Sequence, residues 1–98
     1  MALKIVWSVR AATKFDGIIS HLIAEWGEKS AKEFILKVFD FLDILSEFPE
    51  IGSVENKEKN IRGFTIVKQV TIFYRLKDDR IYLLMFFDNR QNPKRKKF

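Results

Sequence analysis

Three arginines and one short polar run carry most of the chemistry this chain offers. Arg90, Gln91 and Asn92 lie in the segment Asp88-Asn89-Arg90-Gln91-Asn92-Pro93, which follows an apolar run and is too polar to be core. A guanidinium placed there has the fork geometry for bidentate binding of a phosphate or carboxylate. The other reading is a structural bond that closes the turn before Pro93. Arg62 opens a second apolar run. It could contact a phosphate or a partner's carboxylate, or pair with a neighbouring strand as a surface cation. Arg75 stands beside a hairpin turn and reads as a solvated cation. Tyr74 reads as core, with its hydroxyl satisfied at a sheet edge. His21 reads as a helix-side residue, and Trp7 and Trp26 as packing residues. One His and no Cys supply neither a zinc ligand set nor a disulfide, and no cofactor is implied.

The surrounding pattern says what must position these groups. Residues 3–9 alternate, with Leu3, Ile5 and Trp7 on one side, which predicts a strand, with Ser8 as the cap of the helix that follows. From Val9 to Trp26 the period changes. Phe15, Ile18, Ile19, Leu22, Ile23 and Trp26 form one apolar face of a helix, and Gly27 ends it. A second helix is predicted to start at residues 28–30, with Ser30-Ala31-Lys32-Glu33 at capping-box spacing. Its stripe includes Ala31, Phe34, Ile35, Val38, Leu42 and Leu45, and Pro49 and Gly52 stop it. The short link between the helices implies an antiparallel hairpin. Residues 50–60 hold no pattern and read as a mobile polar connection.

Three β-prone runs follow, at residues 61–68, 69–76 and 80–87, the last two joined by Lys77-Asp78-Asp79. Asp78-Asp79 can take the backbone angles of a tight two-residue turn. Residues 81–87 are apolar on both faces, as expected of a central or covered strand. The order β-α-α-β-β-β gives an α+β fold, a helical hairpin packed on one face of a small, mainly antiparallel sheet. The core should include Phe15, Ile19, Leu22, Phe34, Val38, Leu42, Ile72 and Tyr74.

The chain has 98 residues, enough for one core and one domain, read here as residues 1–93 with a basic tail at 94–98. The start of the sequence is too short and polar for a secretory signal, and no apolar run approaches the length of a bilayer span. These features predict a soluble cytoplasmic protein. Residues 1–56 carry six Lys/Arg and nine Asp/Glu, and residues 57–98 carry twelve and four, so the halves differ as −3 and +8. Such asymmetry suits an acidic or polyanionic partner for the basic half.

The ordered features resemble the RelE/ParE superfamily of toxins from bacterial type II toxin–antitoxin systems, the plasmid stabilisation type. The resemblance spans residues 3–93. It rests on a strand ending in Trp7-Ser8, Ala11 or Ala12 opening a helix that closes with Trp26, and a second helix leading to Leu45, Pro49 and Gly52. It continues with Ile61-Arg62 before a strand, Tyr74-Arg75-Leu76, the Asp78-Asp79 turn, an aliphatic strand and the 88–93 segment. The resemblance implies a small cytoplasmic protein encoded beside an antitoxin, whose C-terminal segment wraps and neutralises it. RelE-like members cut messenger RNA in the ribosomal A site. ParE-like members poison DNA gyrase and show no nuclease activity.

Metal-independent RNA cleavage needs a group to draw the 2′-OH proton, cations for the phosphorane, and a proton for the leaving oxygen. The resemblance places Arg62 and Arg90 near cations of the RelE-like branch. Where that branch usually has an Arg three residues before the central-strand Tyr, this chain has Thr71. Its C-terminal Tyr is also missing, because the chain ends in Phe98, which cannot ionise. If the chain is a nuclease, the candidates are Arg62, Arg90 and Tyr82. Residues 90–93 look more like the ParE-like branch. The expectation is a growth-inhibiting ParE-like toxin that binds a target such as DNA gyrase through Arg62, Arg75, Arg90, Gln91 and Asn92. Its partner is a cognate antitoxin, alone or in a larger oligomer. The alternatives are a RelE-like ribosome-dependent mRNA endoribonuclease and an inactive, solitary binding module of the same fold.

Overall fold

The computed structural model describes residues 2–89. The candidates Arg90, Gln91 and Asn92, together with Pro93 and the basic tail, lie outside these described residues. The elements are β1 (Lys4–Trp7), α1 (Val9–Trp26), α2 (Glu28–Glu47), β2 (Ser53–Asn56), β3 (Ile61–Val67), β4 (Val70–Lys77) and β5 (Arg80–Asp88). They form a two-layer α+β fold: both helices cover one face of a five-stranded sheet of order β1-β5-β4-β3-β2. Only β1 pairs in parallel, with β5; the remaining pairings are antiparallel. Among the described residues, no helix is long and apolar enough to cross a membrane.

Local chemistry sets the helix bounds. The Ser8 Oγ accepts from the Ala11 N–H at 3.0 Å and donates to the Leu84 carbonyl at 3.1 Å, so it caps α1 and ties it to β5. Gly27 is at once the last cap of α1 and the first of α2, with φ at 89°. That left-handed angle suits glycine and reverses the chain in a single residue. Helix α2 therefore starts at Glu28, and Ser30 lies inside its first turn rather than at the expected cap. The expected connection at 50–60 also differs. It contains the edge strand β2, whose residues Ser53, Val54 and Glu55 are exposed and show no apolar alternation to read. A bonded turn follows: the Lys59 N–H donates to Asn56 Oδ1, and the Asn60 amide donates to the Leu76 carbonyl.

The core is dominated by α2 and the strands. Phe34, Val38, Phe41, Leu42 and Leu45 meet Val70, Ile72, Tyr74, Ile81, Leu83 and Phe86. Of the expected core, Phe15, Ile19 and Leu22 are only partly buried, and α1 contributes a single fully buried residue, Ala11. Trp26 is 73% exposed, against the expectation that it packs. The Trp7 ring does pack, centred 5.2 Å from Phe15 and 5.7 Å from Phe86.

A bulge explains why β5 is apolar on both faces. Phe73 pairs with Met85 but Tyr74 pairs with Leu83, so Leu84 is the extra residue. Ile81 and Leu83 face the helices, and so does Phe86 beyond the bulge. Met85 and Phe87 instead join Phe73 in a small cluster on the other face, the back face.

Tyr74 anchors the passage from the helical layer back into the sheet. Its side chain is fully buried. The hydroxyl accepts from the Gly52 N–H at 2.8 Å and donates to the Pro49 carbonyl at 2.9 Å. A methyl group at Gly52 would lie 2.6 Å from that hydroxyl, so only glycine allows the approach. Burial pushes the Tyr74 pKa above the ordinary 10.0, as does nearby Glu50; the Gly52 hydrogen bond and the Arg62 charge oppose this. Below pH 10.0 folded and unfolded chains both hold the proton. As pH rises from there toward the raised folded value, the unfolded chain loses it first, so stability falls. Tyr74→Phe leaves the buried Gly52 N–H and the part-buried Pro49 carbonyl without this partner. It should cost about 1–3 kcal/mol in urea unfolding at neutral pH. The variant should also lack the tyrosine share of the alkaline loss, seen as a shallower decline in the same measurement above pH 10.0.

Candidate functional site

The two candidates within the described residues that a nuclease would need together lie on opposite faces of the sheet. Arg62 pairs across β3–β4 with Tyr74, so it points to the helical side. Its Nη1 donates to the Glu50 carbonyl at 3.1 Å and to the Gly52 carbonyl at 2.8 Å. With Tyr74 it holds both edges of the 49–52 segment. Its Nε is buried with no partner among the described residues, which leaves one donor unsatisfied. Tyr82 pairs with Arg75 and points to the back face, half-buried. Arg75 donates from Nε to the Lys59 carbonyl at 2.8 Å and so holds the turn after β2. The sheet itself separates Arg62 from Tyr82.

Thr71 marks the centre of a polar network on the back face. It pairs with Thr65 across the strands. The Thr71 hydroxyl donates to Asn89 Oδ1 at 2.9 Å and therefore accepts from Thr65 at 3.0 Å. The Asn89 amide donates to the Lys68 carbonyl at 3.1 Å, and its N–H to the Gln69 carbonyl at 2.8 Å. These bonds bring the end of β5 against the β3–β4 turn. A cavity of about 520 Å³ adjoins the network, lined in part by Ser53, Glu55, Thr65, Thr71 and Asn89. Among the described residues, its lining has hydroxyls, an amide and a carboxylate but no cation. A carboxylate repels phosphate, so these groups suit hydrogen bonding better than phosphorane stabilisation.

A larger groove, about 830 Å³, runs between α1 and the end of the sheet. Arg10 and Lys14 line it with positive charge, beside His21 and the Asp88 carboxylate; Ile18, Leu22 and Trp26 supply apolar surface. Sequence reasoning missed it because His21 and Trp26 were read singly. The signal was present, since Arg10, Lys14, Gly17 and His21 recur at i, i+4, i+7 and i+11 along the helix. No space-filling neighbour lies within 4 Å of a methyl group placed at Gly17, which keeps this wall open. A basic rim over an apolar floor can hold an acidic amphipathic segment.

Comparisons with known proteins agree with this architecture. The family model described as ParE toxin of type II toxin-antitoxin system, parDE, matches residues 5–93. No curated protein matches the chain. Among solved structures, the chain is similar to one titled as the chromosomal ParDE TA system from P. aeruginosa. The TM-score is 0.74 at 17% identity, covering 89% of this chain and 96% of that one. The solution structure of the protein HP0894 from Helicobacter pylori gives 0.57 at 22% identity, with 91% and 97% covered. The YoeB dimer structure from Staphylococcus aureus gives 0.60 at 14%, with 87% and 94% covered. At these identities the structures speak for the fold, and the family match speaks for descent: over residues 5–93 the chain belongs to the ParE toxin family of type II toxin–antitoxin systems.

Proposed function

We propose that this protein is a cytoplasmic, growth-inhibiting toxin that acts by binding an essential target such as DNA gyrase, as ParE-like toxins do, and not by cutting RNA. The observation that carries this reading is the separation of Arg62 from Tyr82 by the sheet. Arg62 is engaged with backbone carbonyls on the helical side. Among the described residues, the back-face cavity presents Glu55 and hydroxyls where a nuclease needs cations. Binding asks only for a complementary surface. Arg75 and the run Arg90, Gln91 and Asn92 remain the proposed contacts for that target.

The cognate antitoxin is the second partner. The α1 groove supports its docking: Arg10, Lys14 and His21 would face the carboxylates of an acidic segment whose apolar residues cover Ile18, Leu22 and Trp26. The name of the P. aeruginosa complex, a ParDE system, supports an antitoxin as the partner of this chain too.

Induced alone, the protein should stop bacterial growth, and co-expression of the antitoxin should restore it. Purified protein should stall cleavage complexes of gyrase on supercoiled DNA while leaving messenger RNA intact on programmed ribosomes. Specific A-site cleavage lost in Arg62→Ala would move the protein to the RelE-like mechanism. Arg10→Glu combined with Lys14→Glu should weaken antitoxin binding, measured by calorimetry, by about tenfold or more, a loss of at least about 1.4 kcal/mol. Unchanged affinity would place the antitoxin elsewhere.

A further inference from the structure

A second surface lies at the far edge of the sheet, away from the α1 groove. Strand β2 is the last in the order β1-β5-β4-β3-β2 and, among the described residues, pairs on one side only, with β3. Its outer edge offers unpaired backbone donors and acceptors, the template for adding another strand. Large apolar side chains are exposed on it and in the residues that lead into it. Ile44 is 48% exposed, Phe48 62%, Ile51 42% and Val54 54%. Backbone bonds link them: the Phe48 N–H donates to the Ile44 carbonyl and the Ile51 N–H to the Phe48 carbonyl. Val54 pairs with Arg62, whose guanidinium reaches the Glu50 and Gly52 carbonyls, so the Val54 side chain lies on the helical face of the edge. Isolated exposed apolar residues are ordinary, but exposed apolar residues that flank an open strand edge offer an interaction surface.

The charge around this edge selects its occupant. Residues 38–56 carry five acidic side chains, Asp40, Asp43, Glu47, Glu50 and Glu55, and no Lys or Arg. All five are exposed. The two faces of the edge also differ. Ser53 pairs with Gly63 on the back face, where the Glu55 carboxylate lies 3.1 Å from a methyl group placed at Gly63. The cavity of about 520 Å³ opens on this side. Val54 and the end of α2 lie on the other. Successive residues of an added strand point alternately to the two faces. One set would meet Val54 and Phe48, and the other would enter the cavity beside Glu55.

We propose that the β2 edge docks an extended protein segment in which apolar and basic residues alternate, added as a sixth strand. The apolar residues cover Val54 and Phe48, and the basic ones enter the cavity next to Glu55. This goes beyond the toxin reading and does not depend on it. A second copy of this chain fits less well. Pairing β2 with its own copy would set one acidic edge against another, and like charges meeting at an interface oppose association.

The test uses a fluorescein-labelled synthetic peptide that alternates valine and lysine, long enough to pair along β2, in anisotropy titrations against the full chain. A peptide of the same composition with its valines and lysines in separate blocks is the control for charge alone. The alternating peptide should bind saturably, at least about tenfold tighter than the block peptide, a difference of 1.4 kcal/mol. Val54→Asp and Glu55→Lys, both at exposed positions, should each weaken it by a similar factor while circular dichroism stays unchanged. Equal binding of the two peptides, no saturable binding, or affinity untouched by both substitutions would overturn the proposal. So would a concentration-dependent dimer in analytical ultracentrifugation that Val54→Asp abolishes, since that would give the edge to a second copy.

Discussion

The rest of the structure depends on one buried hydroxyl. Tyr74 stands at the centre of the sheet, on β4, and its Oη reaches both the Gly52 N–H and the Pro49 carbonyl. Those bonds fix where the chain leaves α2 and re-enters the sheet. Arg62, its cross-strand neighbour, grips the Glu50 and Gly52 carbonyls of the same segment. Buried backbone groups need partners, and this turn has no regular element to supply them. Two side chains on the sheet do so instead. The consequence is functional as well as structural: an arginine that could have met phosphate is drawn into the helical layer, and β2 is delivered to the sheet edge.

The same division explains how one small domain can present unlike surfaces. The helical face, completed by Phe34, Val38, Phe41 and Leu45, holds most of the core. The α1 groove at one end is cationic over apolar residues. The β2 edge at the other is acidic beside apolar residues. Opposite charge on the two ends favours different partners for each and disfavours exchange between them.

Much of the fold was legible in the sequence, because the signals were local. Ser8 and Gly27 bound α1 at Val9–Trp26, and the paired positive φ of Asp78 and Asp79, at 54° and 58°, made the tight turn that two aspartates allow. What was hidden depended on register or on distant partners. β2 has no apolar alternation, since it exists through backbone bonds to β3. Ser30 had capping spacing, but the reversal at Gly27 started the helix before it. The bulge at Leu84 switches which residues of β5 face the helices, a change that no count of alternation reveals. The site was harder still. Arg62 and Tyr82 look alike as candidates until pairing assigns them to opposite faces, and Thr65, Thr71 and Asn89 become a network only when the strands are in register.

The central claim is that Arg62 serves the fold from within the helical layer, leaving the sheet a binding platform. Urea unfolding of Arg62→Ala, alone and combined with Tyr74→Phe, tests this most directly. Arg62→Ala should cost about 1–3 kcal/mol, because the part-buried Gly52 carbonyl and the exposed Glu50 carbonyl lose a charged donor. The double variant should lose less than the sum of the two, since both side chains hold the same segment. Stability of Arg62→Ala within about 0.5 kcal/mol of the parent, the usual range for a surface substitution, would contradict the account and return Arg62 to solvent as a free cation.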